Sequence, residues 1–234
     1  MTYRYLTDLA DAARKSGLRV VELDGWRTRG RPASTGAFDP SGVLCHHTGA
    51  TADGRAYAQW LASVGRSDLP APLVQLSLDR EGTVYVCAAG RANHAGKAKA
   101  SGPMPAGDGN AMFVGIEAQN TGTEAWNHRG TDTAGNPVTQ REAYQRLCAA
   151  LCTHYGWPAD HVRAHRETSI TGKWDPGLLD MGALRAAVAA LLAPTPKPLT
   201  PLQRIRRQLK VIRRKAGPRR RARIDKGLND LPER

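Results

Sequence analysis

The 234-residue chain has no apolar run that approaches the length of a membrane span. Its first residues, M-T-Y-R-Y-L-T-D-L-A-D, place acids where a secretion signal needs an uninterrupted apolar segment. The sequence therefore predicts a protein with no signal peptide or transmembrane segment, starting in the cytoplasm. Cysteine is scarce: four residues, at 45, 87, 148 and 152, form no tight framework, and a cytoplasmic start argues against structural disulfides. Cys148 and Cys152 fall beside Tyr144, Leu147, Leu151 and Tyr155 in a helical pattern, so they are expected in a packed core; their spacing matches no zinc knuckle. A phosphate loop is excluded, because Gly172-Lys173 lacks both the upstream glycine and the following Ser or Thr. Aromatic residues make up 6% of the chain and none lies beyond Pro201, which disfavours stacking on nucleic-acid bases.

What the chain does have is positive charge, unevenly placed. Of a net +13, residues 201–234 carry 13 Lys+Arg against 3 acids, and residues 1–200 carry 21 against 18. The basicity belongs to a tail, which follows the proline-rich stretch A-P-T-P-K-P-L-T-P. Three segments are expected: a domain over 1–193, a stiff linker over 194–201 and a basic tail over 202–234. In the tail Thr200-Pro201 is a good N-cap and first-position pair. Leu202, Ile205, Leu209 and Ile212 then share one face of a helix otherwise made of Arg, Lys and Gln, broken at Gly217-Pro218. Such a tail is either a solvated appendage or a contact to anionic wall polymers or a membrane surface.

Within 1–193, helical and strand signals alternate. Leu6, Leu9, Ala10 and Ala13 repeat at helical spacing, and Arg19–Leu23 reads as a strand before Asp24-Gly25. After a loop over 27–40 comes a buried strand, Gly42–Thr48, that ends in His46-His47. Alternation sends those two side chains to opposite faces, so one of them faces any given site. A helix is expected from Thr51, with Tyr57, Trp60, Leu61 and Val64 on one face. Leu73–Leu78 and Thr83–Val86 flank D-R-E-G as a hairpin, and Gly90–Gly109 reads as a surface loop. Phe113–Ala118 is a buried strand holding Glu117, a carboxylate that is costly there unless paired or useful. After a further polar loop, T-Q-R-E at 139–142 is a capping box for a helix ending at Gly156. His161–His165 is a last short strand, and Asp180 caps a helix to about Leu192. The expected fold class is α/β, a single mixed central sheet flanked by helices, plus the basic helical tail.

The stretch Ala164–Gly177, A-H-R-E-T-S-I-T-G-K-W-D-P-G, reads as a loop that places His165, Lys173 and Asp175 together. Imidazole and carboxylate suit zinc, and a nearby lysine adds positive charge. The strand ending in His46-His47 supplies a third ligand, and three ligands with a fourth position left to water is the catalytic arrangement of zinc.

With V-L-C-H-H-T, D-R-E-G-T-V-Y, N-H-A-G, V-G-I-E-A-Q-N-T-G and H-R-E-T-S-I-T-G-K-W-D-P-G in that order, the chain resembles the zinc-dependent N-acetylmuramoyl-L-alanine amidases, the family of amidase-type phage lysozymes and peptidoglycan recognition proteins. The resemblance covers about Gly42 to Leu192. It implies zinc on His46, His165 and Asp175, with His47 turned away as a hydrogen-bonded core or supporting histidine. Lys173 looks like the family's oxyanion stabiliser and Glu117 like its general base, against the alternative of a buried, paired carboxylate. His94 looks like the cleft histidine of the H-A-G motif, against the alternative of a solvated loop residue. With Asn93 and Asn120 it is expected to contact substrate. Many relatives carry a Tyr-His pair where this chain has Val74 and Gln75, so a tyrosine acid or base is missing there. The implied protein is a monomeric peptidoglycan amidase, an actinobacteriophage endolysin held in the host cytoplasm until lysis and then acting on the cell wall. A non-catalytic peptidoglycan-binding module is the alternative, disfavoured by the complete ligand set.

Overall fold

The computed structural model describes residues 2–194 and 200–229. Positions 195–199 of the expected linker and 230–234 of the tail lie outside the described residues. The chain forms two compact units, Met1–Ala193 and Pro194–Arg234.

The first unit is built on six strands: β1 (Val20–Glu22), β2 (Gly42–His47), β3 (Leu76–Leu78), β4 (Val84–Val86), β5 (Phe113–Ala118) and β6 (Val162–Ala164). They lie in the order β1-β4-β3-β5-β2-β6. Every pairing is parallel except the β3–β4 hairpin, so the sheet is mixed. Strand β2, flanked by β5 and β6, is buried at all six positions, the signature of a strand covered on both faces. On one face Val43, Cys45, Val114 and Ile116 join a core completed by α1 (Leu9–Arg14), α3 (Gln140–Tyr155) and α4 (Met181–Leu192). Cys45 and Cys148 meet there with sulfurs 3.9 Å apart, both buried and free. On the other face Leu44 and Phe113 pack with Ala95 and Met104, and Leu23, Val74, Tyr85 and Cys87 pack with Ala58 and Leu61 of α2 (Gly54–Ser63).

Local chemistry sets the element ends. Thr139 and Glu142 form a reciprocal capping box at the start of α3, and Gly156, at φ 74°, ends it in the left-handed conformation. The Asp180 carboxylate accepts the Ala183 N–H at 3.0 Å and starts α4.

Several expectations need correction. Helix α2 begins at Gly54 rather than Thr51, and Val64 is its exposed C-cap rather than part of the buried face. The stretch 90–109 is a surface loop only in part: Arg91, Ala92, His94, Ala95, Ser101 and Met104 are buried, while Lys97, Lys99, Gly102, Pro103 and Pro105 are exposed. Its polar backbone is satisfied by side chains: Asn110 Oδ1 accepts the N–H groups of His94, Ala95 and Gly96 at 3.0, 2.7 and 3.2 Å. The 164–177 stretch is not all loop, since His165–Thr168 makes a helical turn.

In the second unit α5 (Pro201–Lys215) starts from a Thr200/Gln203 capping box and α6 spans Pro218–Asn229. Arg213 grips Asp225 through both carboxylate oxygens, at 2.5 and 3.2 Å, and Arg221 donates to the Ala216 carbonyl at 2.6 Å. No helix among the described residues is long and apolar enough to cross a membrane.

Candidate metal centre and catalytic cleft

Parallel strands end together, and a ligand site outside their carboxyl ends follows from that topology. In the β2–β5 register His46 lies opposite Glu117, and in the β2–β6 register Ala164 lies opposite Cys45, so His165 emerges just beyond β6 beside His46. Three adjacent strands thus deliver two imidazoles and a carboxylate to one edge.

The turn bearing His165 is fastened from both sides. Glu167 accepts the Ala164 N–H at 2.9 Å and takes a two-pronged contact from Arg185 of α4, at 3.0 Å on each oxygen. Arg166 receives the chain on its return: its N–H donates to the Asp175 carbonyl at 2.9 Å, and its guanidinium donates to the carbonyls of Gly177 and Leu179. Gly177 sits at φ 61°, where an added Cβ would meet the Gly122 carbonyl oxygen at 2.2 Å, so only glycine closes this loop.

These constraints bring Asp175 back between the histidines. Its Oδ2 lies 2.8 Å from His46 Nδ1 and 3.0 Å from His165 Nδ1. All three residues are buried, and their potential ligand atoms fall within 4.8 Å of one another. Burial is the main cause that lowers the His46 pKa, to about 4, with Asp175 opposing it. His46 is therefore neutral at neutral pH, the form that binds metal. Burial works to raise the Asp175 pKa, but hydrogen bonds from His165 and His46 hold it well below the usual carboxylate range. Two imidazoles and one carboxylate, converging in a cleft, are a donor set that fits a metal ion.

The cleft has a volume of about 490 Å³ and is lined by His46, His94, Asn93, Glu117, His165, Lys173 and Asp175, with Tyr57, Trp60 and Leu73 on its apolar wall. Glu117 Oε2 is shut off from solvent without a hydrogen-bond partner. Burial first, and the charge of Asp175 second, push its pKa well above the carboxylate norm, against the pull of Lys173. The paired carboxylate considered from sequence thus lacks a partner at that oxygen.

His94 occupies a prepared place. Its Nδ1 lies 3.0 Å from His46 Nε2, and a Cβ on Gly115 would strike its ring at 2.8 Å. It is buried rather than a solvated loop residue. His47 is also buried, its ring 4.4 Å from that of Trp174, and it shares no hydrogen bond with the His46–His165–Asp175 group. Asn93 donates to the Pro70 carbonyl at 2.9 Å at the cleft wall. Asn120 is 0% exposed: it donates to Gln140 Oε1 at 2.9 Å and accepts the Gly122 N–H at 2.7 Å. Its side chain braces the fold, and a substrate contact is not assigned to it. Val74 is fully buried in the core against α2. Gln75 is buried too, accepting the Gly115 N–H at 2.7 Å and donating to the Gly90 carbonyl.

Sequence reading missed three supports. Tyr144 accepts the His46 N–H and donates to the Ile116 carbonyl, both at 2.9 Å, but from sequence it is one more residue of an apolar stripe. Asn110 gave no signal at all. Arg166, though inside the H-R-E motif, shows its role only once the loop is seen to return.

Residues 36–178 match the family model described as N-acetylmuramoyl-L-alanine amidase. No curated protein matches the chain. Among solved structures it is similar to the endolysin N-acetylmuramoyl-L-alanine amidase LysCS from Clostridium intestinale URNW, at 17% identity over 72% of this chain and 93% of that one, with a TM-score of 0.48. It is also similar to a mutant endolysin from Bacillus subtilis, at 19% identity over 73% of this chain and 99% of that one, with a TM-score of 0.48. Since the match spans most of the first unit, strand β2 through Asp175 included, the chain belongs to the N-acetylmuramoyl-L-alanine amidase family and is an enzyme of that activity.

Proposed function

We propose that this enzyme is a zinc amidase that cleaves the bond between N-acetylmuramic acid and the L-alanine of the peptidoglycan stem, in the role of an actinobacteriophage endolysin released from the host cytoplasm to the wall. The observation that carries the zinc reading is the convergence of His46, His165 and Asp175 beside Glu117, whose Oε2 is enclosed without a hydrogen-bond partner. Zinc held by those three residues supplies Lewis acidity, polarising the lactyl carbonyl and lowering the pKa of a water toward ~7.

The chain's own groups do the rest. Glu117, with a raised pKa and a free oxygen, takes a proton from the attacking water and hands it to the alanine nitrogen, which cannot leave as an anion. Lys173, on the same cleft, meets the charge gathering on the carbonyl oxygen, a stabilisation worth ~3 kcal/mol for a well-placed donor. With Val74 buried, no phenol acts from that position. His94 and Asn93 line the path of the substrate. The cationic unit beyond Ala193 supplies a second attachment, to an anionic surface.

Two measurements test this. Chelation or Asp175→Ala should abolish both bound zinc and release of N-terminal alanine from peptidoglycan, with glycan strands left intact; retained zinc with full activity would sink the ligand assignment. Glu117→Gln should keep its zinc and lose ~10²- to 10⁴-fold in turnover, and wild-type turnover would remove Glu117 as the base.

A further inference from the structure

Helix α5 carries seven Lys and Arg residues and no acid over its 15 positions. They are not spread evenly. At 100° per residue Leu202, Ile205, Leu209 and Ile212 fall within one narrow arc, while Arg206, Arg207, Lys210, Arg213 and Arg214 occupy the opposite side and its flanks. The apolar arc is incompletely covered within its own unit: Ile205 is 46% and Ile212 42% exposed. The one acid of the neighbouring helix, Asp225, pairs with Arg213.

We propose that this unit docks on an anionic lipid bilayer, with the isoleucine arc of α5 entering the boundary between headgroups and acyl chains and the arginine flanks meeting lipid phosphates. The inference takes the anionic surface of the preceding section as its starting point and names its chemistry. Charge complementarity alone fits a polyanionic wall polymer equally well. A polymer, however, offers nothing to an ordered row of half-exposed isoleucines, whereas an interfacial helix needs both faces. The lack of any aromatic residue beyond Pro201 argues against nucleic acid. At 15 residues and ~1.5 Å per residue, the helix is far too short to span a bilayer and is suited to lying along its surface.

The test uses the full chain and vesicles of phosphatidylcholine with or without phosphatidylglycerol, read by co-sedimentation. Wild-type protein should bind only the phosphatidylglycerol vesicles. Binding should weaken as salt rises from ~0.1 to ~1 M, where the screening length falls from ~10 to ~3 Å. Ile205→Asn with Ile212→Asn, which leaves the charge unchanged, should weaken vesicle binding ~10-fold or more, and Ile205→Leu with Ile212→Leu should restore it. Absence of binding to anionic vesicles at low salt overturns the proposal. So does an undiminished affinity of the asparagine variant, or tight binding to poly(glycerol phosphate) that ignores the isoleucines while vesicles are not bound. None of these readouts involves hydrolysis, so they stand or fall apart from the zinc reading.

Discussion

His94 touches the candidate metal site through a neighbour. Its Nδ1 engages His46 Nε2 at 3.0 Å, leaving His46 Nδ1 as the nitrogen that faces Asp175. A metal-binding imidazole is oriented by whatever its second nitrogen touches, and here that group is itself fixed, by Asn110 beneath its backbone and by the space at Gly115. We predict that His94→Ala weakens zinc binding ~10- to 100-fold, measured by competition with a chromophoric chelator, and that His94→Gln, which keeps an acceptor, loses less. Zinc affinity equal to wild type in His94→Ala would leave His94 as a substrate contact only. The sequence could mark His94 as a cleft residue from its motif, but not this second contact. The pairing of His94 with His46 depends on a turn shaped by Asn110, fifteen residues or so downstream, and no local pattern encodes that.

At the scale of elements, strands β2 and β5 were legible because each is a short, mostly apolar run that gives way to polar residues, and α3 because its capping box and terminal glycine are both local signals. Segment 90–109 was not legible. The burial of its inner residues depends on side-chain acceptors and donors such as Asn110, and on Arg91, which holds the Ala37 carbonyl at 2.8 Å and Asp108 at 2.7 Å, all contacts between distant residues. A comparable long-range tie joins the loops that follow β2 and β5. Arg80 reaches the carbonyls of Ala50 and Thr51 and pairs with Glu124 at 2.9 Å, while Glu124 also accepts the Thr121 N–H at 3.0 Å. Burial pushes the Glu124 pKa upward, but the Thr121 hydrogen bond and Arg80 outweigh it and hold the group at about 2, against an ordinary 4.5. A depressed folded-state pKa contributes stability above the unfolded value and loses it as pH falls through the folded one. Glu124→Gln is therefore expected to lower the melting temperature at neutral pH and to converge on wild type between pH 4.5 and about 2. A deficit of the same size at both ends of that range would mean that the tie is not ionic.

At the scale of the whole molecule, the buried clusters that hold the sheet together all lie before Ala193, as do both histidines and the aspartate of the candidate metal site. The second unit, Pro194–Arg234, has contacts of its own between α5 and α6. Charge divides along the same line, with ten of the thirteen net positive charges after residue 200. The buried core and the cleft therefore belong to one unit and most of the net charge to the other. We predict that a chain ending at Ala193 unfolds cooperatively with a stability within ~0.5 kcal/mol of the full-length protein, the range of changes that touch no core, and binds zinc with the same affinity. Denaturant melts of the two forms decide it. A loss beyond ~1 kcal/mol would show that the basic unit supports the fold as well as the attachment, and the division of labour would fail at that point.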